Sequence, residues 1–229
     1  MKLIRYGIIL KRLTINDIEM VRKARNSVRH LMDYKEYITP EMQLSWFKSI
    51  DNPHNFYYII NYQNEPVGVI HEKNTSLEPG IKYDDSEGGI FMFEEKYYSS
   101  PAPVFAALIL IEKGFYIFGD TESVIHIISG NEKAIRFNKS LGYELCPGQE
   151  NLMKQRYILT KAGFEHKTKK LRKAALKLAR SENNFKWVLE KNDYSTGFGL
   201  KIEEIYSKAG LVFTKQNNGE KVCIINFPD

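Results

Sequence analysis

Histidine is the side chain whose ordinary pKa, about 6.5, suits proton transfer near neutrality. His71 ends the apolar run VGVI with Glu72 beside it, and both residue types can serve as a general base. His126 lies inside SVIHII and reads as a satisfied core residue of a strand. Arg25 suits bidentate contact with a phosphate. Its neighbour Asn26 either joins that contact or caps the end of a first helix. Cys146 and Cys223 stand far apart without metal-ligand spacing, so neither a disulfide framework nor a metal site is expected.

Such residues need elements to hold them. Residues 7–13 (GIILKRL) read as a first strand, and Thr14-Ile-Asn-Asp opens a helix ending near Asn26. Thr39-Pro40-Glu41 starts a second helix, with Leu44, Trp46 and Phe47 as its apolar face. Strands over 57–61 and 67–72 flank the turn Gln63-Asn64-Glu65-Pro66, a hairpin pattern. A polar loop over 75–87 leads to a short strand over 88–93.

Val104, Leu108, Ile111, Phe115 and Phe118 recur as one stripe of a helix that stops near Gly119. The run 123–128 is apolar nearly throughout, as for a strand covered on both faces. Asn131 caps a helix to about Leu141, and Gly142 stops it. Strands follow over 143–145 and 152–159.

Beyond Thr160 the character changes. Residues 161–180 hold eight Lys or Arg against one Glu, or 8 − 1 = +7 of a chain total of +5, which leaves 5 − 7 = −2 elsewhere. The segment 165–181 reads as a basic amphipathic helix with Leu171, Ala174, Ala175, Leu178 and Ala179 inward. A strand over 187–189, a helix over 200–209 and a hairpin about Asn217-Asn218-Gly219 complete a small α/β extension. The basic face carries no interleaved aromatics, so a solvated or cofactor-facing helix is expected rather than a nucleic-acid contact. An apolar share of 43% supports a full core, while 13% aromatics either fill that core or stack on a ligand. No run approaches the ~18 apolar residues of a membrane span, and the amino-terminal apolar stretch is too short for a leader. A cytoplasmic location without membrane association is therefore expected.

Two segments resemble the GNAT acyltransferase superfamily. GNEKAIRFNKSLGY (130–143) resembles its Asn-x-x-Ala-Ile…Leu-Gly-Phe/Tyr pattern. EGGIFMFEEKYY…FAALILIEKGF (87–115) resembles its cofactor-binding strand, pyrophosphate loop and helix. Arg25, Asn26, Met32, Ile38, Thr39 and Trp46 resemble the branch that acetylates nucleotide-linked amino sugars, the pseudaminic acid biosynthesis type.

The resemblance implies an α/β (α+β) fold with a mixed central sheet flanked by helices over 1–160. Residues 161–229 then form a small C-terminal α/β extension of unread role. It implies N-acetyl transfer from acetyl-CoA to a primary amine of a small molecule, with a nucleotide-linked amino sugar as the specific acceptor. A homodimer is compatible with it. Phe91, Met92, Phe93, Tyr98, Ser99, Ser100, Ala102, Val104, Asn131, Phe137 and Asn138 would contact coenzyme A, and Arg25 and Asn26 the acceptor. Glu87 stands where relatives carry a base, with His71 and Glu72 as rivals, and Tyr98 is the candidate acid.

Two departures matter. Pro101 and Pro103 occupy both glycine positions of the phosphate loop and remove two N–H donors. Asn138 replaces a tyrosine and cannot supply a proton. A GNAT-like domain that binds acyl-CoA or a partner without catalysis is thus the alternative.

Overall fold

Tyr6 and Gly7 adopt left-handed backbone (φ 53° and 69°) and reverse the chain between β1 (Lys2–Arg5) and β2 (Ile8–Arg12). The computed structural model describes residues 1–32, 34–76 and 86–227, so most of the loop expected over 75–87 lies outside the described residues. The strand expected over 7–13 is β2. β1 is additional, because four residues are too few to display alternation; Leu3 lies opposite Leu10 and both are buried.

The Thr14 N–H and hydroxyl both donate to the Asp17 carboxylate (3.0 and 2.7 Å), forming a single tight turn that opens α1 (Ile18–Ser27). Thr39 accepts the Met42 N–H (3.2 Å) and starts α2 (Pro40–Ile50), as expected. That helix buries Gln43 and Phe47, whereas Leu44 is exposed. β3 (Phe56–Tyr62) and β4 (Glu65–Lys73) are joined by Gln63 and Asn64 alone, both at positive φ, and β5 (Glu87–Met92) adds to β4. A two-residue turn of this kind matches the twist of the strands it joins.

Helix α3 (Ala102–Glu112) continues through a wider turn over Lys113–Phe118 and stops at Gly119 (φ 72°). The expected single stripe is a correction: every residue of α3 except Val104 is buried. Then follow β6 (Glu122–Ile128), α4 (Glu132–Ser140), β7 (Glu144–Leu145), β8 (Lys154–Thr160) and α5 (Lys161–Ala179). The chain ends with β9 (Asn184–Leu189), α6 (Lys191–Ser195), α7 (Phe198–Lys208), β10 (Thr214–Lys215) and β11 (Lys221–Asn226).

Eight strands form one antiparallel sheet in the order β10-β11-β9-β1-β2-β3-β4-β5, and β6-β8-β7 form a second. β9 pairs with β1, so the strands after Thr160 extend the main sheet. One face packs on α1 and α2 through Val21, Phe47, Ile59, Val69 and Phe93. The other packs on α3, α5 and α7, where Trp187 meets Tyr206 with ring centroids 4.3 Å apart.

Helix α5 covers α3, which is why α3 needs no polar side. Phe164 packs on Phe115 (5.5 Å), and Arg172 faces Glu112 (3.9 Å). The buried side of α5 is therefore Phe164, Thr168, Arg172 and Ala175, while Ala174 and Leu178 are exposed. Counting Arg172 as a surface residue rotates the inferred apolar face. Glu112 is fully buried and also meets Arg5 (2.8 Å) and the Tyr6 hydroxyl, which donates to it (2.6 Å). Arg5 donates in turn to Asn183 (2.7 Å). Burial pushes the Glu112 carboxyl up, and the neighbouring guanidiniums offset this only in part.

Candidate active site

Strands β5 and β6 approach each other without pairing; among the described residues no ladder joins the two sheets there. The Phe93 N–H donates to Val67 on β4 (2.9 Å), which fixes the alternation along β5. Phe91 and Gly89 then point their amides at β4, whereas Met92, Ile90 and Gly88 point theirs into the cleft. β6 was expected to be covered on both faces. It buries only Val124 and Ile127, because one of its edges borders this cleft.

At the Met92 end the cleft is partly closed, for the Met92 N–H donates to the Tyr98 hydroxyl (3.3 Å). The loop after β5 is largely self-satisfied. Ser100 donates through its amide and its hydroxyl to the Tyr97 carbonyl (3.1 and 2.8 Å). The Ala102 amide donates to Ser100 Oγ (3.3 Å), and that of Phe105 to the Pro101 carbonyl (3.0 Å). Pro103 has no N–H. Among the described residues Val104 alone leaves a first-turn amide of α3 unbonded, so the helix terminus offers an anion much less than an ordinary one.

Asn131 accepts the Ala134 N–H (3.1 Å) through its amide oxygen, and Asn138 donates one N–H back to the Ala134 carbonyl (2.9 Å). Phe137 packs against the main core.

The polar cluster lies at the other end of β5, on the α1–α2 face. Glu87 is paired with Lys73 (2.8 Å) and with Lys154 (3.5 Å), which reaches over from the second sheet. Partial burial raises its carboxyl, but the hydrogen bond and charge of Lys73, with the charge of Lys154, outweigh that and hold it below the usual range. His71 stacks on Tyr57 (4.6 Å, 13°). Gly89 makes room for this ring: a Cβ there would lie 2.4 Å from it. Burial and the Lys73 ammonium lower the His71 pKa to about 4, so it stays neutral but is a weak base.

Glu72 is a correction. Adjacent strand residues point to opposite faces, so Glu72 lies under the sheet, paired with the buried Lys113. It cannot share a centre with His71 or Glu87. Tyr98 stands apart from this cluster. Its hydroxyl sits at the Met92 amide, and five residues of strand, at about 3.3 Å each, separate Met92 from Glu87. Burial raises the Tyr98 hydroxyl pKa.

The Arg25 guanidinium lies over the Phe91 ring (5.6 Å) beside the cluster. Asn26 is turned away from it. Its amide clamps Ile38, donating to the carbonyl and accepting from the N–H (2.9 Å each). Arg22 supports the same carbonyl (3.1 Å), so the Asn26 amide shapes the approach to α2 and does not cap α1.

Sequence reading did not select Lys73, Lys154, Arg156 or His126 for the site. His126 pairs with Arg156, and Ile128 with Lys154, so alternation sets His126, Lys154 and Arg156 on one face. The apolar run around His126 was legible; the open face above it was not. His126 is half-buried there, and partial burial with the Lys154 charge lowers its pKa, against the pull of Glu87.

No family model matches the chain, and no curated protein matches it by sequence. Solved structures do match in fold. A nucleotide-linked sugar GNAT, apo FdhC, is 19% identical with a TM-score of 0.59, over 75% of this chain and 96% of its own. Spermidine N-acetyltransferase from Vibrio cholerae, bound to CoA and spermine, is 13% identical with a TM-score of 0.55, over 70% and 99%. Campylobacter jejuni PseH with acetyl coenzyme A is 17% identical with a TM-score of 0.50, over 67% and 99%. The chain therefore has a GNAT-type α/β fold, with a further quarter to a third of its length beyond the shared part. No helix among the described residues is long and apolar enough to cross a membrane.

Proposed function

We propose that this protein is an N-acetyltransferase that moves an acetyl group from acetyl-CoA to a primary amine of a small molecule, a nucleotide-linked amino sugar being the acceptor class. The observation that carries this reading is the cleft-facing edge of β5, where Gly88 and Ile90 present amides and carbonyls that a strand-like pantetheine arm can pair. Val104 and the loop would take the phosphate end with few donors, so modest affinity is expected.

Charge favours the acceptor class. Glu87 is one carboxylate among Lys73, Lys154, Arg156 and Arg25. That surface repels a polycation and attracts an amine that also carries phosphate. Glu87 receives the acceptor's ammonium, and the surrounding cations lower the amine's pKa. The freed amine attacks the thioester carbonyl, and the tetrahedral intermediate expels the thiolate. The nitrogen's surplus proton passes to sulfur, so no separate acid is required.

Titration calorimetry with acetyl-CoA is expected to give a dissociation constant of roughly 0.1–1 mM, about −4 to −5.5 kcal/mol. No heat at millimolar ligand would sink the proposal. Thiol release should then be at least about tenfold faster with nucleotide-linked amino sugars than with spermidine; the reverse order would remove the acceptor assignment. Pro101, Pro103 and Asn138 favour a second reading, a domain that binds acyl-CoA without turnover. Binding with no thiol release from any amine would select it.

A further inference from the structure

Of the five histidines, His54 is bound to the Thr75 carbonyl (3.0 Å), His71 is held against Tyr57, and His30 and His166, which lie on neither β5 nor β6, are exposed. His126 differs from all of them. Among the described residues no hydrogen bond is made by its ring, and it stands on β6 at the border of the cleft. The β6–β8 register puts it on the face of Lys154, whose ammonium reaches the Glu87 carboxylate on β5. One polar face thus runs from Lys73 through Glu87, across the opening, to His126 and Arg156.

We propose that His126 is the proton acceptor of the transfer reaction, with Glu87 holding the acceptor's ammonium opposite it. This rests on the acetyltransferase reading above. Glu87 itself is poorly suited to keep a proton, since two ammonium groups hold it ionised. Efficient general bases have a pKa near the working pH. His126 is partly open to solvent, so an imidazolium formed there can release its proton.

R–NH3+ gives one proton to a ring nitrogen of His126, and the neutral amine's lone pair forms the C–N bond. The C–S bond then breaks with its electron pair on sulfur, which takes the second proton from the new amide nitrogen. The imidazolium returns its proton to water. Net products are the acetamide, the free thiol and one proton. The charged groups facing His126 are Glu87, which favours its protonated form, and Lys154, Arg156 and Lys73, which oppose it.

The test compares His126→Asn with Glu87→Gln in the full chain, using acetyl-CoA and the best amine from the thiol-release screen. H126N is expected to lower kcat about 100-fold with KM within a factor of about two, and to erase the acid limb of the kcat/KM–pH profile. E87Q is expected mainly to raise KM, with the acid limb kept and moved to lower pH. The His126 Cε1 proton resonance, assigned by its absence in H126N, should titrate below pH 6.5 and shift down further in E87Q. A kcat within twofold of wild type in H126N, or a titration indifferent to E87Q, overturns the assignment. A wild type that releases no thiol with any amine overturns the acetyltransferase reading and this role with it. Turnover that survives H126N overturns this role alone.

Discussion

A chain ended at Thr160 is expected to be recovered aggregated or unfolded, with no cooperative thermal transition. The reason lies in α3, which is buried along its length but for Val104. A helix apolar on all sides needs cover on all sides. Truncation removes Phe164 from Phe115 and Tyr116, Phe227 from Tyr116, and Tyr206 from Phe118. It also strips Trp187, Phe185 and Leu189 from the sheet and leaves β1 as an unpaired edge. Each large side chain that loses its cover forfeits about 1.5–3 kcal/mol. Half a dozen such losses match the roughly 5–15 kcal/mol by which a domain is stable. Circular dichroism with a thermal scan checks this; a soluble monomer that melts cooperatively would show the extension to be dispensable.

Helix starts and tight turns were legible because their chemistry is local. Thr39, Asn131 and the turn around Gln63–Asn64, expected to be two residues longer than it is, act through neighbours one to three residues away. Arg172 was not, because its partner Glu112 is sixty residues distant and a lone arginine looks like a surface residue. The same limit applies at the site. Glu87 was nominated only through the resemblance to acyltransferases, and its pairing with Lys73 follows once the β4–β5 register is known. Lys154 reaches Glu87 only because two separate sheets lie side by side, which no local pattern encodes. His126 reads as core from its apolar neighbours Ile125, Ile127 and Ile128. What decided its exposure was the missing partner on one side of β6. For His71 and Glu72 the sequence is sufficient, since alternation alone forbids adjacent strand residues from meeting at one centre.

Arg5→Met is expected to destabilise the protein by about 3–5 kcal/mol, lowering the melting temperature by roughly 10 °C. The substitution keeps the apolar stem but removes the guanidinium that lies 2.8 Å from a fully buried carboxylate. Arg172, at 3.9 Å, is too distant to replace it. The loss should depend on pH, and the sign is set by Glu112. Its folded-state pKa is already raised above the ordinary 4.5, by burial first of all. Between 4.5 and that raised value the folded state binds more protons than the unfolded one, so stability falls as pH rises through the window. Removing Arg5 takes away an opposing charge, raises the folded value further and widens the window. Urea midpoints for R5M should therefore lie closer to wild type at pH 5 than at pH 8. Adding Glu112→Gln to R5M removes the uncompensated charge and should restore most of the loss at pH 8, although the Tyr6 hydroxyl then donates to a neutral amide. An R5M variant equally unstable at both pH values, and not rescued by E112Q, would place the damage in lost packing of the arginine on Tyr6 and Phe227, which its guanidinium overlies at 4.6 and 4.9 Å.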